Sequence, residues 1–152
     1  MMEIDVGSNS NEAGELLSNF SPFDFVFDDV HCASMEGLIQ SFKFDCPERQ
    51  KQICSFVGLK AKRKGQRRKW HLTKQLYWKG VSMDRHGPEY QQLLDRAFEA
   101  LSENPAFQEA LLSTGDATLV HNIGKSDGNF TVLTSDEFCS RLMRLRDKMR
   151  NK

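Results

Sequence analysis

Apolar and polar positions alternate along the chain with two periods, 3.6 and 2, and together they predict a mainly α domain with a small β element near its N-terminus, an α+β fold. Phe23, Phe25 and Phe27 alternate with Asp24, Val26 and Asp28, the pattern of a short strand. Asp28-Asp29 reads as a turn into Val30-His31-Cys32, which makes a small hairpin. Met35, Leu38, Ile39 and Phe42 follow at i, i+3, i+4 and i+7, one apolar stripe of a helix that Ser34 would cap. Pro47 suits the first turn of a second helix, which reaches to about Lys64 with Ile53, Phe56 and Val57 inward and is broken by Gly65. The period of residues 67–80 is ambiguous between helix and strand; Tyr77 and Trp78 are assigned to core.

The clearest helix opens at Pro88, where Tyr90, Leu93, Leu94, Ala97, Phe98 and Leu101 line one face. Asn104-Pro105 separates it from a shorter helix with Phe107, Ala110, Leu111 and Leu112, which Gly115 would end. Residues 118–120 read as a brief strand and residues 124–129 as a loop. Thr134 and Glu137 form a capping box for a last helix lined by Phe138, Leu142, Leu145 and Met149. Residues 1–14 lack periodicity and are expected to be a flexible tail, so the folded domain is expected to span residues 15–152.

At 152 residues the chain is long enough for one sizeable core, and 21 basic against 21 acidic residues describe an ordinary soluble protein. No apolar run has the length of a membrane helix, and the acidic, Ser/Asn-rich start is unlike a signal peptide. Cys32, Cys46, Cys54 and Cys139, like the four histidines, show no metal-ligand spacing. The expectation is a cytoplasmic protein with reduced thiols, no metal, no cofactor and no membrane partner; the sequence leaves its oligomeric state open.

Three features carry candidate chemistry. Glu36, Gln40 and Lys43 lie at i, i+4 and i+7, so a carboxylate, an amide and an amine share one edge of the first long helix. The same spacing also describes a plain solvated row. Ser34 at the N-cap would put Glu36 in the first turn, where the helix dipole favours an ionised carboxylate. The loop Ile123-Gly124-Lys125-Ser126-Asp127-Gly128 combines backbone that can approach a phosphate with a cation and a second carboxylate. Between Lys60 and Lys69 the charge is dense and Trp70 follows at once, a pairing that suits phosphates and a stacked base, or else a solvated helix end.

Leu17-Ser18-Asn19-Phe20 followed by Ser34-Met35-Glu36-Gly37-Leu38-Ile39-Gln40-Ser41-Phe42-Lys43-Phe44 resembles the opening of the NADAR family, also called YbiA-like. There an SNF element precedes an (S/T)-x-E-x-x-x-Q-x-x-K-F helix. The likeness runs through Trp70, residues 110–117 and Ile123-Gly124-Lys125, and covers about residues 15 to 148. It implies cleavage of N-glycosidic bonds to ribose, with substrates among phosphorylated riboflavin-pathway intermediates and ADP-ribose attached to guanine in DNA. It further implies Glu36 as the catalytic carboxylate, with Lys43 and Asp127 beside it. Ser18, Asn19, Phe20, Gln40, Arg68, Trp70, Gly124 and Lys125 would line the substrate, although Phe20 fits core equally well.

Lys43 has three readings, a Schiff-base amine, a salt-bridge partner of Glu36 or a plain surface charge. From the family's glycine-rich WG-D-G-x-G-K-N-x-L-G pattern the chain departs, with no Trp there and Thr131-Val-Leu-Thr-Ser in the later part. The basic stretch favours ADP-ribosylated guanine in DNA, with DNA itself a partner through Lys60 to Lys69. The rival is a non-catalytic module that binds ADP-ribose, NAD or nucleic acid through the same residues.

Overall fold

The computed structural model describes residues 2–7 and 12–151. They form one α+β domain in which three short two-stranded ladders sit among seven α-helices. The hairpin predicted around Asp28-Asp29 is present: β2 (Phe25–Phe27) pairs antiparallel with β3 (Val30–Cys32), and both aspartates take positive φ, 47° and 65°, at the turn. Phe25, Phe27, Val30 and Cys32 face the core while Val26 and His31 face out, which is the period-2 alternation.

The Ser34 helix, α2 (Met35–Ser41), starts as its sequence indicates, with the Ser34 hydroxyl accepting from Gly37 N at 3.1 Å. Every residue of α2 is buried, so its polar row is no solvated face.

The single helix expected from Pro47 to Lys64 is two. α3 (Pro47–Cys54) ends at Ser55, and α4 (Gly58–Gln66) starts after a turn in which Gly58 takes φ +55°. Gly65 is no breaker but lies inside α4, buried against α2. The ambiguous stretch 67–80 resolves into a 3-10 turn (Trp70–Leu72) and strand β4 (Gln75–Trp78), which pairs with β5 (Val81–Asp84) across the tight turn Lys79-Gly80. A positive φ at both turn residues, 49° and 88°, matches the right-handed twist of a two-residue hairpin.

The tail expected over residues 1–14 is tied down where it is described. β1 (Glu3–Asp5) pairs in parallel with β6 (Thr118–Val120), Ile4 and Val6 are buried, and α1 (Glu12–Leu16) follows. Two apolar side chains are enough to anchor such a short strand once a distant edge is offered, and no local pattern announces that edge.

α5 (Pro88–Leu101), α6 (Pro105–Leu112) and α7 (Ser135–Arg150) appear as the stripes predict, and the Thr134/Glu137 capping box is formed. Their apolar faces join α2 in one core, where Phe42 meets Trp78 and Tyr90 edge-on at 5.6 and 6.1 Å. Gln50, 2 % exposed, holds the end of α2 against β4: its amide donates to the carbonyls of Ser41, Phe44 and Tyr77 and accepts from Lys79 N. No helix among the described residues is long and apolar enough to cross a membrane.

Candidate functional site

The row Glu36, Gln40, Lys43 is set into the protein by its neighbours. Glu36 N donates to Asn19 O at 3.0 Å, which puts the Ser18-Asn19-Phe20 element on the first turn of α2. Contact runs through the Asn19 backbone carbonyl, while Ser18 Oγ accepts from Phe20 N and closes a local turn. Phe20, half-buried, packs beside Gly58 at the start of α4.

Two glycines allow α3 and α4 to approach α2. A Cβ on Gly37 would lie 2.6 Å from Phe56 O and 3.0 Å from Ile53 O, and one on Gly65 would lie 1.6 Å from Gln40 Oε1. Ala61 and Gly65, four residues apart, are the buried residues of α4, whose other positions include four lysines and arginines, and this small-residue pair is the signal that marks its packed edge.

Within that frame Gln40 Nε2 donates to Glu36 Oε1 at 2.9 Å, with both residues buried. Burial raises the Glu36 carboxyl above its ordinary range, opposed by the Gln40 hydrogen bond and by the charges of Lys43 and Lys62. Loss of hydration here works against the first-turn dipole, which favours the ionised form. Lys43, half-buried just past α2, is pushed down to about 8, first by burial; Glu36 pulls it back up, while Lys125 and Lys62 press it further down. Acid and amine are thus both moved toward their neutral forms.

Lys125, exposed on its loop, is one of the charges that lower Lys43. Its loop is docked by Ser135 N donating to Lys125 O at 3.0 Å and by Ser135 Oγ donating to His121 O. Gly124 is needed there for packing, since a Cβ would lie 2.3 Å from His121 Cδ2 and 2.4 Å from Ser135 Oγ. Behind the loop, fully buried Arg85 donates to Thr131 O and, in a bidentate pair at 3.0 and 2.7 Å, to Glu137.

Other expected residues stand elsewhere. Asp127 is exposed, its carboxylate accepting from Asn129 N in an Asx turn, and none of its contacts reaches Glu36, Gln40 or Lys43. Trp70 is 7 % exposed and belongs to the core cluster, so its indole is no open stacking platform. The 3-10 turn that follows α4 rolls it inward, while Arg68 stays out with its guanidinium 5.1 Å over the Phe44 ring. Lys62 is the residue that sequence reading passed over: it was one cation of a solvated stretch, and it acts on both Glu36 and Lys43.

A family model described as bacteriophage protein GP30.3 matches residues 12–147. An uncharacterized 17.1 kDa protein of the Gp30-rIII intergenic region of Enterobacteria phage T4 is 32% identical over 154 residues, covering 98% of this chain and all of that protein. In fold, the chain is similar to the E. coli protein YbiA, solved by NMR, with a TM-score of 0.64 at 18% identity over 99% of this chain and 86% of that one.

Proposed function

The chain belongs to the bacteriophage protein GP30.3 family and has the YbiA fold, and on that footing we propose that it is a NADAR-type N-glycosidase. Its substrate is a ribosyl or ADP-ribosyl adduct of a purine-like base, with ADP-ribose on guanine in DNA favoured over a phosphorylated riboflavin-pathway intermediate. The observation that carries this reading is the buried Glu36–Gln40 pair with a lowered Lys43 amine one turn away.

Cleaving the C1′–N bond sends its electron pair to the base nitrogen, which must then gain a proton. A carboxyl raised by burial is suited to donate that proton, and the resulting carboxylate stabilises positive charge at C1′. Two routes complete the reaction. Water adds to C1′ and returns its proton to Glu36, or Lys43 Nζ adds there, the sugar ring opens, and water hydrolyses the imine to free amine and ribose aldehyde. The four cysteines are free thiols, in keeping with a reducing cytoplasm.

The basic face of α4 supports DNA as the larger partner: Lys60, Lys62, Arg63 and Arg67 are exposed along it. The decisive experiment incubates the protein with ADP-ribosylated DNA and with a phosphoribosylamino-pyrimidine and follows released sugar by mass spectrometry. Release from the DNA alone supports the favoured substrate. Release from neither, with ADP-ribose still bound, replaces the enzyme by a binding module.

A further inference from the structure

The basic stretch that ends at Lys69 is tied directly to the loop ahead of α7. Lys74, which takes φ 58° where the 3-10 turn gives way to β4, donates from N to Trp70 O at 2.8 Å and from Nζ to His71 O at 2.7 Å. The same ammonium donates to Asn129 O at 3.2 Å and stands 5.6 Å from the centroid of the Phe130 ring. Arg67, Arg68 and Lys69 are exposed on the approach, so a run of cations leads from α4 to one aromatic ring.

That ring is 62% exposed and lies outside the core cluster. A single exposed apolar side chain signifies little in itself; what distinguishes Phe130 is how it is held. Asn129, ahead of it, donates from N to Asp127 Oδ1 at 2.9 Å and accepts at Oδ1 from His86 Nε2 at 2.8 Å. Phe130 N donates to Asp127 O, and Thr131 O accepts from buried Arg85. The backbone on both sides is thus fixed, and a fixed ring loses little freedom on stacking. Lys74 is half-buried, and its ammonium meets two carbonyls and no carboxylate of a described residue, so one donor and the charge are left for an outside anion.

We propose that Phe130 and Lys74 form a stacking platform for a base of single-stranded DNA, with the phosphates beside that base tracking Lys74 and the exposed Arg67, Arg68 and Lys69. An aromatic face beside a cation is the combination that holds a single strand without reading its sequence. An open ring suits a strand held at several phosphates, whereas a free nucleotide needs a cleft that buries most of its surface. The stacking role expected of Trp70 thus passes to Phe130. Three residues of strand, roughly 10 Å, separate Lys74 from Tyr77, whose N donates to Phe42 O beside Lys43. The stacked base is therefore a neighbour of the modified nucleotide. The choice of DNA rests on the reading above, while the platform rests on the contacts just given.

The test measures the fluorescence anisotropy of a labelled oligothymidine strand, and of an abasic strand of equal length, with the full-length protein at constant ionic strength. The parent should bind oligothymidine about tenfold more tightly, the worth of one stacked base. Phe130→Ala should remove that preference and leave abasic binding unchanged. Phe130→Trp should keep it, with the added indole fluorescence quenched by oligothymidine alone. Lys74→Gln should weaken both strands and lower the log–log salt slope by about 0.7. Val26→Ala, exposed on the β2–β3 hairpin, should change neither. Melting curves check that each variant is folded.

Failure of the parent to bind oligothymidine, equal affinity for the two strands, or a parent-like preference in Phe130→Ala would overturn the proposal. So would an equal loss on both strands in that variant, or displacement of the strand by free ADP-ribose at matched nucleotide concentration. No bond is cleaved in these titrations, so the platform stands even if no ribosyl adduct is hydrolysed. A parental KM of Phe130→Ala on ADP-ribosylated DNA would remove the platform and leave the glycosidase reading intact.

Discussion

Gln40 donates to Glu36 across one helical turn at 2.9 Å, inside a helix with no exposed residue. The bond binds the acid's position to the α2–α4 contact, because Gly65 is what lets Gln40 lie flat against α4.

Glu36→Gln keeps the shape and removes the transferable proton. Turnover should fall on the order of 100-fold or more, about 3 kcal/mol of barrier. Stability should move the other way. The folded carboxyl is raised above 4.5, so the parent loses stability as pH rises from the ordinary carboxylate range toward that raised value. The variant escapes this loss and should melt at or above the parent at neutral pH. Parent-like turnover would remove Glu36 from the chemistry.

Lys43 is lowered from 10.5 to about 8, so between those values the unfolded chain holds a proton that the folded chain has released. Its unfavourable contribution is complete below pH 8 and fades as pH rises to 10.5. Lys43→Met should therefore flatten the rise of stability with pH across that window. If the amine attacks C1′, borohydride trapping of a sugar adduct should increase through pH 8 and vanish in the variant; trapping that persists in Lys43→Met rules out this amine.

Gly37→Ala and Gly65→Ala should differ in kind. At Gly37 the new Cβ meets backbone carbonyls at 2.6 and 3.0 Å, which cannot rotate away, and overpacking of about 1–3 kcal/mol should appear as a lower Tm. At Gly65 the clash is with the Gln40 side chain, which can turn at the expense of its bond to Glu36. That variant should lose less stability and more activity. Equal activity in the two variants would argue against Gln40 positioning the acid.

Arg85→Met breaks the buried pair with Glu137, whose members have side chains 2% and 14% exposed. Removing one partner of such a pair costs about 3–5 kcal/mol. Amide exchange in residues 124–131 should quicken well beyond that of α5, since Arg85 also holds Thr131 O. Uniform acceleration across the domain would mean that Arg85 serves global stability alone.

Trp70→Phe should lower Tm through lost packing while leaving KM within about twofold, since an indole in the core offers no face to a base. A tenfold rise in KM at unchanged Tm would restore the stacking role.

Much of this domain was legible in local pattern. The stripes of α2, α5, α6 and α7, the Ser34 cap, the Thr134–Glu137 box and the Asp28-Asp29 turn depend on residues within a few positions of each other, and each stands where its pattern puts it. The Glu36, Gln40, Lys43 row was legible for the same reason.

What local spacing could not supply is everything decided by distant partners. Whether that row faced water or protein depended on α3 and α4 closing over it, through Gly37 and Gly65. At a helix start the dipole favours an ionised carboxylate, and burial by remote segments pushes Glu36 the other way. Ile4 and Val6 found their place only because β6, over a hundred residues on, offers an edge. Trp70 turned inward because the 3-10 turn after α4 carries it into a core built from distant segments. Periodicity is a property of neighbours in the chain, whereas hydration and charge at a site are set by what packs on top of it.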